Sequence, residues 1–298
     1  MNLLHQDKCP LCGKTHLSKA LTCVDQYATG ESFDLFRCDD CGFLFTQNVP
    51  VEAEIGRYYE TSDYISHSDT RKGAMNSVYH YVRAYMLERK ARLVQRVAHR
   101  KEGRLLDIGT GTGYFAHKMV QKGWKVEAVE KSPQARAFAL KHFGLDVKAD
   151  SQVEMFAPKS FDVITLWHVM EHLEHLDATW ERLHTQLSDQ GTLIVAVPNH
   201  TSYDAHLYGK HWAAYDVPRH LWHFSPDTIR QFAHKHGFTF VEEHPMPFDA
   251  FYVSMLSEKG QKHSASFVRG MWSGTRAWFA SLGRKEKSSS MIYVFQKR

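Results

Sequence analysis

The stretch LLDIGTGTGYF, residues 105–115, constrains the fold of this chain more than any other segment. An apolar run containing Asp107 leads directly into glycines at positions 109, 111 and 113. Glycine has no side chain and tolerates backbone angles that other residues rarely adopt, so a ligand can lie directly against such a loop. In parallel sheets, ligands bind where the first strand ends in a turn of this kind. The stretch therefore predicts a strand, a ligand-binding turn and the start of a helix.

Apolar runs typical of strands alternate with helical runs from this loop to the C-terminus. In SPQARAFALKHFG, Ser132 can cap a helix that Pro133 opens and Gly144 ends. Helices are also predicted over 77–100 and 171–187 from their apolar spacing. Such alternation indicates an α/β fold with a Rossmann-like, doubly wound, mainly parallel seven-stranded sheet. The predicted strands are RLLDIG, WKVEAVE, LDVKAD, FDVITLWHV, GTLIVAVPN, FTFVEEH and MIYVFQK.

All five cysteines lie within the first 41 residues, and four of them form two CxxC pairs. The pairs CPLC and CDDC are separated by 25 residues, and each is followed by glycine. Two such turns supply four thiolates, which form a closed tetrahedral zinc site without an open position for catalysis. A redox role is disfavoured because neither pair has a thioredoxin-like strand–helix context, and Cys23 is interpreted as a core residue. We predict a zinc ribbon whose structural Zn²⁺ is held by Cys9, Cys12, Cys38 and Cys41.

The charge of the chain is uneven, although its net value is only +4. From Lys259 to the C-terminus there are nine Lys or Arg and one acid, Glu286. A basic segment indicates an anionic partner such as phosphate, phospholipid or nucleic acid, or else a solvated surface. No apolar run approaches the roughly 20 residues of a membrane span, and the N-terminus does not resemble a signal peptide. A cytoplasmic location is therefore expected.

The glycine loop and the last residue of the second predicted strand, Glu130, limit which ligand this site can bind. A dinucleotide site uses G-x-G-x-x-G with pyrophosphate at the helix N-terminus. Here the spacing is G-x-G-x-G, and Asp107 just before it would repel pyrophosphate but attract an amine. Glu130, 19 residues after Gly111, suits the two hydroxyls of a ribose. A ligand with an ammonium group, a ribose and no phosphate fits S-adenosylmethionine.

LLDIGTGTGYF followed by AVEKSP resembles the first two motifs of class I S-adenosylmethionine-dependent methyltransferases, in the bacterial methyltransferase-23-like branch. FDVITLWHVMEHL and GTLIVAVPN are similar to the fourth-strand and fifth-strand motifs of that class. The resemblance implies S-adenosylmethionine as cofactor and S-adenosylhomocysteine as product. It also implies contacts to the cofactor from Asp107, Gly109, Thr110, Gly111, Gly113, Tyr114, Glu130, Lys131, Asp150, Ser151, Trp167 and His168.

The predicted organisation has three parts: the zinc ribbon at 1–48, a linker or lid at 49–76, and the methyltransferase domain at 77–298. A helical insert at 260–287 precedes the last strand. In the insert, Phe267, Met271, Trp278 and Leu282 share one helical stripe, with arginines opposite. Such a helix either makes peripheral contact with a membrane or packs over the acceptor pocket.

The candidates for catalysis lie in HVMEHLEHL, just past the fourth predicted strand. This segment resembles quinone-ring O-methyltransferases, which carry Glu-His where this chain has Glu171 and His172, and an acid where it has His168. In those enzymes the cluster is linked with a divalent ion. The alternative is that Glu171 and His172 only brace the helix. A base at this position would serve transfer to a hydroxyl or to a carbon acid.

Two further segments are candidates for the acceptor pocket. DVPRHLWHFS, residues 216–225, offers a cationic and aromatic lining, although its arginine could instead bridge loops. YYETSDYISHS, after a zinc module, resembles the bacterial sugar C-methyltransferases, although their long C-terminal domain is not expected here and the sugar substrate is not carried over. The predicted acceptor-binding residues are Tyr59, Tyr64, His67, Arg219, His220 and His223.

The leading hypothesis is methyl transfer to a small-molecule acceptor, either a hydroxylated aromatic, a lipid-linked compound or a sugar. Transfer to oxygen is favoured over transfer to carbon. The alternative function is an RNA- or nucleic-acid-directed methyltransferase or binding protein that uses the ribbon and the basic C-terminus. Its signal is weak, because CDDCG is acidic and the fourth strand gives LWHV instead of the motif of base N-methyltransferases.

Overall fold

The computed structural model describes residues 3–59, 74–261, 263 and 265–298 of the 298-residue chain. Its strands are β1 (Leu3–Leu4), β2 (Leu17–Val24), β3 (Ser32–Cys38), β4 (Leu44–Gln47), β5 (Val49–Pro50), β6 (Arg104–Ile108), β7 (Lys125–Glu130), β8 (Lys148–Ala149), β9 (Phe161–Trp167), β10 (Leu187–Pro198), β11 (Trp222–His223), β12 (Phe238–Pro245) and β13 (Ser290–Lys297). Its α-helices are α1 (Ala74–Val97), α2 (Tyr114–Gln121), α3 (Pro133–Phe143), α4 (Leu176–Gln186), α5 (Tyr203–Tyr208), α6 (Pro226–Lys235), α7 (Asp249–Gly260) and α8 (Ser266–Gly283).

The central sheet has seven strands in the order β12-β13-β10-β9-β6-β7-β8. Strands β10, β9, β6, β7 and β8 are parallel, and β13 is antiparallel to both of its neighbours. The seven-stranded Rossmann-like sheet predicted from the sequence is confirmed. After β8 the chain crosses to the other side of β6 and adds β9, so the strand order reverses there. Ligands of such sheets bind outside the carboxyl ends of the strands at this reversal.

Apolar burial explains why these segments form strands. Residues 191–197 of β10 are all buried, as expected for a strand covered on both faces. Leu106, Ile164 and Val195 come from three neighbouring strands and join one core cluster. Burying each such side chain contributes about 1.5–3 kcal/mol. The helix starts follow the sequence signals, because the Ser132 hydroxyl caps α3 and the Ser225 hydroxyl caps α6.

The N-terminal segment forms a second, antiparallel sheet in the order β11-β4-β3-β2. Strand β11 belongs to the segment that follows β10, more than 170 residues from β4. The ring of Trp222 in β11 stacks on Phe43 with centroids 6.2 Å apart. The sequence patterns had not predicted β11. This strand joins the zinc module and the candidate acceptor segment in one sheet.

The structure differs from the sequence patterns around Glu171. The helix predicted from Glu171 begins only at Leu176, and Met170–His172 form a single 3₁₀ turn before it. Backbone contacts hold this turn, since the Leu221 amide donates to the Glu171 carbonyl and the His168 amide donates to Ala196. His168 and His172 therefore do not share a helical face. Among the described residues, each helix is too short or too polar to cross a bilayer.

Candidate functional site

The four cysteines of the CxxC pairs come together at one end of the N-terminal sheet. The Sγ atoms of Cys9 and Cys41 are 3.5 Å apart, as are those of Cys12 and Cys38. All four sulfurs lie within 4.8 Å of one another. Tetrahedral zinc with bonds of about 2.3 Å needs sulfurs about 3.8 Å apart, so the four thiolates fit the ion. Cys23 is buried elsewhere. The cluster therefore fits the structural zinc site that the sequence predicted.

Asp107 lies at the end of β6 with an orphaned carboxylate oxygen. Its Oδ1 accepts a hydrogen bond of 2.6 Å from the Thr165 hydroxyl, while Oδ2 has no partner in the described part of the chain. Burial raises the pKa of Asp107 to about 6, although the hydroxyls of Thr110 and Thr165 and the charge of Lys90 oppose this shift. A buried oxygen without a donor fits an incoming ammonium group, because an unsatisfied buried acceptor is otherwise costly.

The glycine loop after β6 allows close approach to the backbone. Gly109 has a φ of 68°, and a Cβ there would lie 2.4 Å from Val169 Cγ2. The amides of Gly111 and Ser132 donate to the two carboxylate oxygens of Glu130, at 2.8 and 2.9 Å. These bonds hold Glu130 at the carboxyl end of β7, beside the loop. Gly113, with a φ of 83°, precedes α2, which begins at Tyr114.

The other predicted cofactor residues lie at the carboxyl ends of β7, β8 and β9. Lys131 pairs with Glu52 at 2.7 Å. Asp150 and Ser151 begin a 3₁₀ turn directly after β8. The Trp167 ring, at the end of β9, lies 4.2 Å below the ammonium group of Lys90. Burial lowers the pKa of Lys90, while Asp249 and Asp107 oppose this shift. The sequence patterns did not single out Lys90, because it is one of several basic residues spaced along helix α1.

His168 occupies the junction between the cofactor loop and the 3₁₀ turn. Its Nε2 lies 3.1 Å from Asp249 Oδ2, and its Nδ1 lies 3.5 Å from Glu171 Oε1. Burial opposes the positive charge of His168, but Asp249 and Glu171 raise its pKa to about 9. Asp249, the first residue of α7, carried no signal in the sequence. The structure thus gives His168 two carboxylate partners.

Glu171, His172 and His220 form a compact cluster at the carboxyl end of β9. One ligand atom from each of these residues lies within 4.8 Å of the other two. The rings of His172 and His220 have centroids 4.5 Å apart. Glu171 is 1% exposed, and neither carboxylate oxygen forms a hydrogen bond within the described residues. Burial alone would raise the pKa of Glu171, but His168, His220 and His172 hold it below its usual value.

The backbone around the cluster determines which imidazole nitrogens are protonated. His172 Nδ1 lies 3.0 Å from the Arg219 carbonyl, and His220 Nδ1 lies 2.9 Å from the Ala214 carbonyl. A carbonyl only accepts, so each Nδ1 carries a proton; His172 Nε2 keeps a lone pair in the neutral ring, while His220 Nε2 lies 3.8 Å from Asp216 Oδ2. Burial lowers the pKa of His172 to about 4, so the ring is neutral at physiological pH. The Tyr59 hydroxyl lies 3.3 Å from His172 Nδ1.

The structure separates the predicted acceptor residues into different places. Tyr59 and His220 lie at the cluster with His172, whereas Tyr64 and His67 fall outside the described residues. The sequence indicated His220 only as part of the acceptor lining, and no pattern linked it to Glu171, although HVMEH and PRHLWH each contain two or more possible metal ligands.

Arg219 and His223 lie between the zinc module and the cluster. Arg219 is fully buried, and its guanidinium contacts Asp25 at 2.9 Å, Asp216 at 2.6 Å and the Tyr58 carbonyl at 2.7 Å. His223 is buried against the Thr46 hydroxyl at 2.9 Å. These contacts favour the bridging role of Arg219 over acceptor binding. Asp25, which had not been singled out in the sequence, is the partner that the zinc module supplies.

Comparisons with known proteins agree with this geometry. Residues 80–243 match the family model described as a methyltransferase domain. The mitochondrial ubiquinone biosynthesis O-methyltransferase of Schizosaccharomyces pombe is 31% identical over 106 residues, which are 33% of this chain and 39% of that protein. The ubiquinone biosynthesis O-methyltransferase of Rhodopseudomonas palustris strain BisB5 is 24% identical over 157 residues, which cover 49% of this chain and 62% of that protein. The chain thus spans less than two thirds of these relatives.

A solved structure shows the same fold. The phosphoethanolamine N-methyltransferase 2 of Haemonchus contortus, in complex with S-adenosyl-L-methionine, superposes with a TM-score of 0.52 at 18% identity. The match covers 85% of this chain and 62% of that one.

Proposed function

The chain belongs to the methyltransferase-domain family, and on that premise we propose that it transfers a methyl group from S-adenosylmethionine to an oxygen atom of a small molecule. One observation carries the proposal: a buried carboxylate without a hydrogen-bond partner, Glu171, lies beside two imidazoles at the carboxyl end of β9. A group that removes a proton from a hydroxyl belongs at this position, because a neutral hydroxyl is a poor nucleophile.

On the cofactor side, Asp107 would hold the ammonium group and Glu130 the ribose hydroxyls. The acceptor oxygen attacks the methyl carbon, the bond between that carbon and sulfur breaks, and the electron pair stays on sulfur as S-adenosylhomocysteine forms. The proton of the hydroxyl passes to the lone pair of His172 Nε2. Alignment of donor and acceptor contributes most of the rate in such a displacement.

The Glu171 cluster also fits a divalent cation. A buried carboxylate that forms no hydrogen bond, together with two imidazoles whose ligand atoms lie within 4.8 Å of it, offers donors that transition-metal ions bind. Glu171, His172 and His220 would hold the ion, and a bound ion would lower the pKa of an acceptor hydroxyl; His172 Nε2 would then be a ligand in place of its role as proton acceptor. His168 would stay paired with Asp249 and Glu171.

The proposed acceptor is a hydroxylated aromatic, a lipid-linked compound or a sugar. The ubiquinone biosynthesis O-methyltransferases named among the relatives support a phenolic and lipophilic acceptor. Peripheral contact with a membrane through the basic C-terminal insert is part of this proposal, because nine of the last forty residues are Lys or Arg.

The test is methyl transfer by the full chain to a panel of catechols, polyprenylated phenols and sugars, with S-adenosylhomocysteine release as the readout. We expect turnover with a phenol, and NMR of the product should show the new methyl group on oxygen. A new methyl group on carbon would contradict transfer to oxygen and show that the enzyme methylates carbon. Turnover on RNA without turnover on any small molecule would favour the nucleic-acid alternative.

A further inference from the structure

Helix α8 packs on the protein through its small residues. Gly270, Gly274, Ala277 and Ser281 are its buried residues. A Cβ at position 270 would lie 2.6 Å from Met255 Cα, and a Cβ at 274 would lie 2.7 Å from Phe251 Cα. The backbones of α7 and α8 therefore approach so closely that only small side chains fit between them.

The large apolar residues of α8 point away from the protein. At 100° per residue they span an arc of about 140° on one side of the helix. In most surface helices, an apolar arc of this width faces the protein core. We call these residues, which are 38–66% exposed, the α8 apolar face: Phe267, Val268, Met271, Trp272, Phe279 and Leu282.

The sequence stripe alone allowed either an interfacial helix or a helix packed over the acceptor pocket. The structure assigns the packing to the glycine face, so Phe267, Met271 and Leu282 of the stripe are exposed, and Trp278 is half-buried. A contiguous exposed apolar surface on a folded domain marks a binding site more often than an accident of folding.

Cations border the α8 apolar face. Arg269 and Arg276 lie along one edge of the arc, and Arg284 and Lys285 are exposed just beyond the last turn. Arg269 is neutralised by Glu258 at 2.9 Å. From Lys259 to the C-terminus, the sequence has only one acid, Glu286. An apolar arc with a basic border is the pattern of a helix that lies in the interface of an anionic bilayer.

We propose that the α8 apolar face binds the surface of an anionic lipid bilayer, with α8 lying in the plane of the interface. A second copy of the chain fits less well. A symmetric contact places the same surface of both copies together. Such a contact would place the basic residues that border α8 in one copy close to the same basic residues of the other copy. Like charges across an interface disfavour binding.

The position of α7 connects this surface to the acceptor side of the site. Helix α7 begins at Asp249, which contacts His168 at 3.1 Å, and α8 packs along α7 through the two glycines. An acceptor with a lipid tail would therefore enter beside the helix pair that contacts the bilayer. This last step rests on the proposed transfer to a lipophilic acceptor, whereas lipid binding by α8 deepens the proposed membrane contact and does not depend on methyl transfer.

Binding to vesicles tests the proposal without any acceptor. The full chain is sedimented with phosphatidylglycerol vesicles and, separately, with phosphatidylcholine vesicles. We expect binding to the anionic vesicles that weakens with added salt, and a blue shift of tryptophan emission as Trp272 enters the interface. The double variant Trp272→Ser/Phe279→Ser should bind roughly tenfold or more weakly, because it removes two large apolar groups from the interface.

The matched control is Leu140→Ser/Met155→Ser, which removes two exposed apolar side chains, 59% and 78% exposed, outside the α8 apolar face. We expect the control to bind like the unmodified chain, and circular dichroism should show that both variants are folded. Lack of binding to anionic vesicles would overturn the proposal. The proposal would also be overturned if the unmodified chain and the control variant self-associated but the Trp272→Ser/Phe279→Ser variant did not. That result would assign the α8 apolar face to a second copy of the chain. If the unmodified chain bound vesicles but transferred no methyl group, the proposed function would be rejected and the lipid-binding proposal would stand.

Discussion

The cofactor side and the acceptor side of the site are built in different ways. On the cofactor side, one continuous segment from β6 to the end of β7 supplies Asp107, the glycine loop and Glu130. On the acceptor side, Glu171 and His172 come from a 3₁₀ turn, His220 from the segment before β11, and Tyr59 from the segment after β5. The cofactor side is local, whereas the acceptor side is assembled by tertiary contacts.

The difference shows where the zinc module acts. Its sheet includes β11, and its Asp25 holds Arg219, whose carbonyl contacts His172 Nδ1. No comparable contact joins the module to Asp107 or the glycine loop among the described residues. Damage to the module should therefore disturb the acceptor side and leave the cofactor side intact. The four predictions below test this separation.

The largest effect is expected from Cys38→Ser, which removes one of four zinc ligands. Structural zinc stabilises small modules by an apparent binding energy of about 10–16 kcal/mol, so we expect loss of the ion and unfolding of the N-terminal sheet. Acceptor turnover should be lost, while S-adenosylhomocysteine should still bind. Metal analysis, limited proteolysis and calorimetry measure these outcomes.

The control for this change is Cys23→Ser, which replaces the buried cysteine that lies outside the cluster. It should retain about one zinc ion per chain. A Cys38→Ser protein that keeps its zinc and its turnover would contradict the structural role of the site. Joint loss of acceptor turnover and cofactor binding would show that the two sides are not separate.

Glu171→Gln is expected to have the next largest effect, mainly on catalysis. Turnover should fall roughly 10²–10⁴-fold, as for loss of a group that assists proton transfer. The affinity for S-adenosylhomocysteine should stay within about twofold, while stability should fall, because the neutral amide removes one of the two carboxylate partners of His168. Steady-state kinetics, calorimetry and thermal melting provide the three readouts. The exposed Glu181→Gln on α4 is the control, and equal turnover of both variants would remove Glu171 from the site.

Asp25→Asn breaks the fully buried ion pair between the zinc module and Arg219. Loss of one partner of a buried pair costs about 3–5 kcal/mol, and Asp216 should keep this cost near the lower end. Urea unfolding measures the change in the free energy of unfolding. In the same sheet, Asp34→Asn breaks the partly exposed pair with Lys19 and should cost about 1 kcal/mol or less. Equal costs for the two variants would mean that Arg219 does not fasten the module.

The sequence predicted the local parts of the site better than the assembled parts. The zinc ligands and the glycine loop are recognisable because their spacing along the chain determines their geometry. His220 lies 48 residues after His172, so no periodicity connects them. Lys90 and Asp249 resemble ordinary charged residues of surface helices until the fold places them beside Trp167 and His168.

The fold shows the same limit. The alternation of strands and helices predicted all seven strands of the central sheet, most clearly β9 and β10, whose burial on both faces leaves an apolar run in the sequence. Strand β11 has only two residues and lies outside this alternation, so no pattern predicted it. Likewise the stripe on α8 was visible in the sequence, but only the packing of Gly270 and Gly274 determined which side of the helix faces outward.

The smallest effect is expected from pH, and it sharpens the cofactor side. The pKa of Asp107 is raised to about 6 in the free protein, mainly by burial, with Lys90 and Glu130 as charged neighbours. Only the ionised carboxylate attracts an ammonium group. The affinity for S-adenosylhomocysteine should therefore be constant above about pH 7 and fall by up to about tenfold per pH unit below pH 6. The free energy of unfolding changes with pH in the opposite direction. Because the pKa of Asp107 is raised in the folded protein, folding favours its protonated form. The contribution of Asp107 to stability therefore declines as pH rises from its ordinary pKa toward 6.

Two variants separate Asp107 from other groups that titrate in the same range. Thr165→Val removes the hydroxyl that donates to Asp107 Oδ1, so the midpoint of the affinity profile should move to higher pH. Asp107→Asn cannot ionise, so its affinity should be low and nearly independent of pH. Calorimetric titration across this range measures all three profiles. If the Asn variant kept the sloping profile of the unmodified chain, the titrating group would lie elsewhere, and the ammonium contact would have to be assigned to another residue of the loop.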